Sequence, residues 1–236
     1  VIKISACFLN WRRPDNLKAN LDRLRRHPLV DDCIVWNNNG GHVFQHDWPT
    51  VLNGSRDLGL HTRFAAAALL KHDCVLIFDD DLRLPPQTID RLVEFWQQEP
   101  DLVHGIFGRR LKRDRSYGID VNRKEAEVPI VLTRALVFHR KYAAAWLAAA
   151  LRFEKILRDG SPVGNGEDIL LSYVARKATG RLNRVHKLPS TELPPGPREV
   201  GIHSRGWGAH LTHRTRLCRF LEDWLKPTDD EKGNQP

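Results

Sequence analysis

Three consecutive aspartates, Asp79-Asp80-Asp81, directly follow the apolar run Val75-Leu76-Ile77-Phe78. Adjacent carboxylates in a confined crevice repel one another unless a cation or hydrogen-bond donors balance them. A divalent ion, Mn2+ or Mg2+, would remove that conflict and could bridge the protein to a diphosphate. Asp81 is the expected principal metal ligand. Asp79 and Asp80 are expected to contact a nucleotide ribose or to order metal-bound water. If the chain stays extended past Phe78, Asp79 and Asp81 emerge on one side and Asp80 on the other.

A second acidic pair, Glu167-Asp168, follows Gly164-Asn165-Gly166 and opens a helical pattern, where the N-terminal field of a helix favours negative charge. Transfer of a sugar from a nucleotide-sugar needs one centre for the leaving diphosphate and another for the positive charge that develops at the anomeric carbon. The two acidic clusters could supply such centres, with Asp168 and Glu167 as the candidate catalytic residues. Arg56 and Arg63 lie between the second expected strand and the aspartate cluster, and paired guanidinium donors suit phosphate oxygens. Asn10 and Asn38 end strands on the same side and could recognise a base or ribose, or simply cap turns. His203 could complete a metal shell. Arg205, Arg214 and Arg216 could balance a diphosphate or an acidic acceptor, and Trp207 offers a flat face to a ring.

Two other chemistries fit parts of this pattern. A strand followed by D-x-D also describes a phosphatase with an aspartyl nucleophile, for which Glu167-Asp168 could imitate the distal metal pair. The formal net charge of +8 also suits a non-enzymatic module that binds polyanions. Short clusters such as Arg109-Arg110 with Lys112-Arg113 read as a solvated face, and nucleic acid is not an expected partner.

The elements that must hold these residues follow from periodicity. Alternating strand-like and helix-like segments over the first 110 residues imply a sheet with helices on its faces. Strands are expected at Lys3 to Leu9, Cys33 to Trp36, Cys74 to Phe78 and Leu102 to Phe107. Pro14 with Leu17, Leu21 and Leu24 marks one helix; Leu60, Phe64 and Ala68 mark another; Ile89, Leu92, Val93 and Trp96 mark a third after Pro85-Pro86. Asp79 to Asp81 then sit at the C-terminal edge of a strand, where open α/β sheets place their ligand crevice. Arg109 to Val128 reads as a loop or short hairpin reaching over the site. Leu132 to Phe138 reads as a strand, Tyr142 to Leu157 as one helix, and Glu167 as the start of another, with Ile169, Leu170, Tyr173 and Val174 on its inner face. The segment from Pro189 to Pro197 is expected to be extended.

The 236 residues suffice for a substantial core, and 41% hydrophobic with 28% charged residues is ordinary for a globular protein. The longest apolar runs, Ala65 to Leu70 and Ala143 to Leu151, are too short to span a bilayer. The start at Val1 is consistent with a piece of a longer protein. Cys7, Cys33, Cys74 and Cys218 lack metal-knuckle spacing and read as buried thiols, with one disulfide left open. Compartment is undecided on these grounds: the Golgi or ER lumen in a eukaryote, the cytoplasm in a bacterium.

The segments Ser5 to Asn10, Asn53 to Phe64, Val75 to Asp81 and Asn165-Gly166-Glu167-Asp168-Ile169 together resemble the glycosyltransferase domain of the exostosin family, in order over roughly residues 1 to 220. The spacing of the aspartate cluster from N-G-E-D-I is the specific part of the likeness. The resemblance implies the GT-A fold, a Rossmann-like α/β unit whose mixed central sheet is flanked by helices. It implies a nucleotide-sugar-binding half at residues 1–110, an acceptor-binding and catalytic half at 111–226, and a flexible tail at 227–236. It further implies a UDP-sugar donor, often UDP-N-acetylhexosamine, Mn2+ dependence, retention of anomeric configuration, and a glycan or small hydroxyl acceptor that could be acidic. On the same likeness Asp81 would hold the metal, Arg63 would lie near the donor and Asp168 beside the reacting sugar.

Overall fold

The computed structural model describes residues 2–157, 165–194 and 207–226. Its first half runs β1 (Ile4–Asn10), α1 (Pro14–Leu24), β2 (Val30–Asn37), β3 (Thr50–Asn53), α2 (Thr62–Ala68), β4 (Cys74–Phe78), β5 (Leu82–Arg83) and α3 (Pro86–Gln98). Then come β6 (His104–Gly105), β7 (Phe107–Leu111), β8 (Tyr117–Asn122), β9 (Ala126–Val128), β10 (Ile130–Val131), β11 (Ala135–His139), α4 (Lys141–Arg152) and α5 (Glu154–Leu157). The remaining elements are α6 (Glu167–Thr179), β12 (Asn183–Val185), β13 (Thr191–Glu192) and α7 (Trp207–Trp224).

Eight strands form the central sheet in the order β3-β2-β1-β4-β11-β6-β12-β9. The β3, β2, β1 and β4 strands are parallel, and β11 is antiparallel to β4, so the sheet is mixed. Side-chain alternation along each strand divides the core in two. Val75 and Ile77 of β4, with Leu136 and Phe138 of β11, pack with Phe64 of α2 and Trp146 of α4. Cys74, Leu76 and Phe78, with Ala135 and Val137, face Leu17 and Leu21 of α1 and Ile89 and Leu92 of α3. Burial on both faces explains why β4 reads as an unbroken apolar run. This is the α/β architecture with a mixed central sheet and flanking helices expected of a GT-A fold.

Proline opens α1 and α3 at their first turns, as the sequence implied. All four cysteines are buried free thiols. Among the described residues, no helix is long and apolar enough to cross a membrane. The 227–236 tail lies outside the described residues.

Several expectations need correction. β3 pairs parallel with β2 at the sheet edge and has no clear apolar alternation, so it is silent in the sequence. Leu60 precedes α2 instead of belonging to it. The expected helix from Tyr142 divides at Phe153 into α4 and α5. The single strand expected at Leu102 to Phe107 is two: β6 stays in the central sheet, while β7 joins β8 and β10 in a three-stranded sheet. The region Arg109 to Val128 contains a hairpin of β7 and β8, one of the two forms expected for it, but Tyr117 and Val121 of β8 enter the core, which was not expected.

The transfer between sheets depends on close backbone approach at Gly105, where a Cβ would meet Val131 Cγ1 at 2.4 Å and the Ala135 carbonyl oxygen at 2.8 Å. Gly105→Ala is expected to destabilise the protein by about 1–3 kcal/mol through overpacking. Urea denaturation checks this, and an unchanged midpoint would show that the crossing relaxes freely.

Candidate functional site

Because β1 and β4 are parallel neighbours, the chain leaving Asn10 and the chain leaving Phe78 emerge side by side at the C-terminal edge of the sheet. The aspartates do not continue the strand. The amide of Leu82 donates to the Asp79 carbonyl at 3.1 Å, so the chain turns immediately. This corrects the expected alternation: Asp79 faces Arg63, whereas Asp80 and Asp81 both face Arg13.

Arg13 sits at the N-terminal boundary of α1. Its Nη2 lies 2.7 Å from Asp80 Oδ1 and its Nη1 lies 2.5 Å from Asp81 Oδ2. Sequence reading missed this residue, although Arg12-Arg13-Pro14 immediately after a strand on the ligand side of the sheet was the available signal. Arg63, buried on α2, places Nη1 3.3 Å from Asp79 Oδ1. It also feels the negative charge of Glu167, and so stands electrically between the two acidic clusters.

Gly166 makes the turn into α6. Its φ of 95° lies in the left-handed region, and a Cβ there would approach Leu217 Cδ2 to 2.4 Å, so glycine is required twice over. Glu167 and Asp168 occupy the first turn of α6 and are both buried. Arg214 of α7 donates to both Asp168 oxygens, 2.6 Å to Oδ1, and to Asn165 Oδ1 at 2.9 Å. Asp168 Oδ1 also accepts from the Ile169 amide at 2.8 Å. The Arg214 guanidinium rests 4.6 Å from the Tyr117 ring centroid, which gives the hairpin a role in the wall of the cluster. Arg214 was read from sequence as a cation for a diphosphate or an acidic acceptor; the structure brings it to Asp168.

Glu167 is bound more loosely. Thr133 Oγ1 donates to its Oε1 at 3.3 Å, while Oε2 is buried without a partner among the described residues. Its backbone carbonyl accepts from Trp146 Nε1 at 3.0 Å, which fixes the turn.

The other candidates divide. Asn10 Nδ2 donates to Asn37 Oδ1 at 2.8 Å, leaving its own Oδ1 buried at the strand ends without a partner among the described residues. Asn38 is spent internally, donating to the Gly59 carbonyl at 2.9 Å and accepting from the Leu58 amide at 3.3 Å, so it clamps the loop before α2. Arg56 is exposed on that loop. His203 and Arg205 lie outside the described residues, as does any account of the Trp207 side chain.

The electrostatics are those of an acidic cluster only partly neutralised. Burial pushes the Asp80 carboxyl up to about 7 and raises Asp79 above the ordinary carboxylate range. Burial and the neighbouring Asp168 raise Glu167. Arg13, Arg63 and Arg214 face Asp79, Asp80, Asp81, Glu167 and Asp168, which leaves two negative charges when all are ionised. Among the described residues, no three His, Cys, Asp or Glu side chains converge as a ready metal cage. The hard oxygen donors and the buried Asp81 Oδ1, without a partner among the described residues, nonetheless fit a cation that takes few protein ligands and completes its shell with phosphate and water.

Residues 4–230 match the model of the glycosyl transferase family 64 domain. Glucosamine inositolphosphorylceramide transferase 1 of Arabidopsis thaliana is 25% identical over 223 residues, covering 88% of this chain and 28% of that protein. Glycosylinositol phosphorylceramide mannosyl transferase 1 of the same plant is 24% identical over 256 residues, covering 92% of this chain and 70% of that protein. The chain thus spans less than a third of the first of these relatives. The crystal structure of GalNAc-T7 with UDP, GalNAc and Mn2+ superposes with a TM-score of 0.57 at 9% identity, over 82% of this chain and 44% of that one, a likeness of fold.

The Asp168–Arg214 pair is nearly sealed from solvent. Arg214→Met is expected to cost about 3–5 kcal/mol because it strands a buried carboxylate. Adding Asp168→Leu should recover much of that loss, so a double-mutant cycle in urea should be strongly non-additive; additive losses would mean that the pair is not coupled.

Proposed function

Since this chain belongs to the glycosyl transferase family 64 domain family, we propose that it moves a sugar, N-acetylhexosamine, from a UDP-sugar to a hydroxyl acceptor with retention of configuration and with Mn2+ bound. The carrying observation is the pair of acidic centres at one sheet edge, Asp79 to Asp81 and Glu167-Asp168, linked through Arg63. UDP, GalNAc and Mn2+ in the fold neighbour support the nucleotide and metal. The exostosin-like N-G-E-D-I motif supports retention. The two plant relatives are named for glucosamine and mannosyl transfer to inositolphosphorylceramides, which supports a glycolipid headgroup as one acceptor class.

In this reading Asp81, whose Oδ1 has no partner among the described residues, is the principal metal ligand, assisted by Asp80. The bound ion supplies charge neutralisation for the leaving diphosphate. His203 is the proposed further ligand. Asp79 and Arg63 border the donor, with Asn10 toward the nucleoside and Arg56 at the outer edge of its loop. The acceptor oxygen bonds to the anomeric carbon as the bond from that carbon to the diphosphate breaks. UDP leaves with the electron pair, and the acceptor proton passes to the departing phosphate oxygen.

Both Asp168 oxygens accept from Arg214, which fits a fixed charge that stabilises the transition state better than a nucleophile needing a free oxygen. Glu167 Oε2, buried without a partner among the described residues, supports a contact of this carboxylate with the reactants.

UDP-sugar hydrolysis with Mn2+, screened over UDP-hexoses, UDP-N-acetylhexosamines and GDP-mannose, tests the reading without knowledge of the acceptor. Asp81→Asn should lower turnover about 100-fold or more and abolish the enhancement of UDP binding by Mn2+. Glu167→Gln should keep UDP affinity while turnover falls by about 100-fold. Equal UDP affinity with and without metal in the unaltered chain would sink the metal assignment; unchanged turnover in Glu167→Gln would remove that residue from the chemistry.

A further inference from the structure

A groove of about 400 Å³ starts at Glu167 and runs outward along α4. That volume lies within the ~300–1,000 Å³ typical of small-molecule sites. Hydrocarbon and ring surfaces from Leu60, Trp146, Leu147, Ala150, Leu151 and Leu157 make most of its wall, and His61, Glu154, Asn165 and Glu167 supply the polar groups.

Three features set its chemistry. At the inner end, Glu167 is only 6% exposed and its Oε2 has no partner among the described residues, so a buried acceptor atom waits there for a donor. Asn165, beside it, is already committed to His210 and Arg214. At the outer end Leu151 is 79% exposed, the most exposed of the large apolar residues of the chain that are described. Ala150 of α4 lines the groove between Leu147 and Leu151, where a larger side chain would narrow it.

A hydrogen-bond acceptor at the closed end and a hydrocarbon wall opening to solvent describe an amphiphile. We propose that this groove is an acceptor subsite that takes an alkyl chain or comparable hydrocarbon portion joined to the sugar or polyol whose hydroxyl is presented at Glu167. A purely polar oligosaccharide would leave Trp146, Leu147, Ala150 and Leu151 facing groups that cannot repay their desolvation. An amphiphilic acceptor buries its chain there and directs its hydroxyl inward. The assignment rests on the proposed reading of Glu167-Asp168 as the transfer centre.

The test uses the full chain with methyl, hexyl and octyl β-D-glucosides below their micellar concentrations, measured by calorimetry and by UDP release from the UDP-sugar. Full burial of one methylene corresponds to about fourfold in affinity. A half-open groove should still give at least about tenfold between the methyl and octyl compounds. Leu151→Glu, at a position exposed enough to tolerate charge, should erase most of that gain. Ile119→Glu, at an apolar position 53% exposed on the hairpin and away from the groove, should not. Bound octyl glucoside should also change UDP release, upward if it accepts sugar and downward if its chain displaces the hydrolytic water.

Equal affinity for the methyl and octyl compounds, or a gain that survives Leu151→Glu, overturns the subsite and leaves the groove to a protein partner. Octyl binding that leaves UDP release unaltered overturns its placement at the reacting end. Chain-length dependence lost in Leu151→Glu, in a protein that turns over no nucleotide-sugar, would uphold the apolar subsite and refute the proposed activity instead.

Discussion

Like charges held together out of water destabilise a fold unless partners are built around them, and this constraint organises the described structure. Asp79, Asp80, Asp81, Glu167 and Asp168 are gathered by two unrelated segments at one edge of the sheet, and three arginines from α1, α2 and α7 are directed at them. Each arginine is an anchor as well as a charge. Arg13 ties the first turn of α1 to the loop after β4; Arg63 ties α2 to the same loop; Arg214 ties α7 to the start of α6. Removal of any of them leaves a carboxylate with too little compensation.

The neutralisation is incomplete, and its remainder is unevenly placed. Asp168 accepts from Arg214 Nη2 at both oxygens and from a backbone amide, while Asp81 and Glu167 each retain one buried oxygen without a partner among the described residues. A fold selected for stability alone would have little reason to keep such atoms, since each costs about 1–3 kcal/mol when left unsatisfied. Asn10 also keeps a buried Oδ1 of this kind, but Asp81 and Glu167 are the carboxylates that do so among the described residues, and an external donor or cation would offset most charge there. The raised Asp80 and Glu167 carboxyls describe the same condition in terms of protons: without an external cation, the cluster resists full ionisation.

How much of this was legible in the sequence follows from the range of the interactions. β4, α1 and α3 could be read because their signals are local: an unbroken apolar strand, leucines at helical spacing, prolines at first turns. The position of the aspartates at a sheet edge followed from β4 alone. β3 could not be read, because a short edge strand has no buried alternation to display, and the division of residues 102–107 between two sheets depends on contacts of Gly105 with Val131 and Ala135. The site divides in the same way. Its carboxylates stand in two runs that are each contiguous in sequence, whereas the arginines facing them are scattered: Arg63 and Arg214 were named without these partners, and Arg13 was not named. Arg13 meets Asp81 only because β1 and β4 are adjacent and parallel, and Arg214 meets Asp168 only because α7 packs on α6.

Sheet topology also explains why the two acidic clusters can share a charge balance without sharing a ligand. Asp79 leaves β4, and its amide is held by the Arg134 carbonyl from the segment leading into β11, the next strand of the sheet. That segment carries Thr133, whose hydroxyl reaches Glu167. Two short links through one turn therefore fix the spacing of the clusters, so that movement of the loop after β4 would be felt at α6. Arg63 adds an electrostatic connection across the same gap. A ligand that neutralises Asp81 would draw on Arg13 first and would alter the field that Arg63 divides between Asp79 and Glu167. Arg63 is thus the described side chain whose charge is felt both at the aspartate turn and at Glu167, and the two acidic groups meet through it without direct contact.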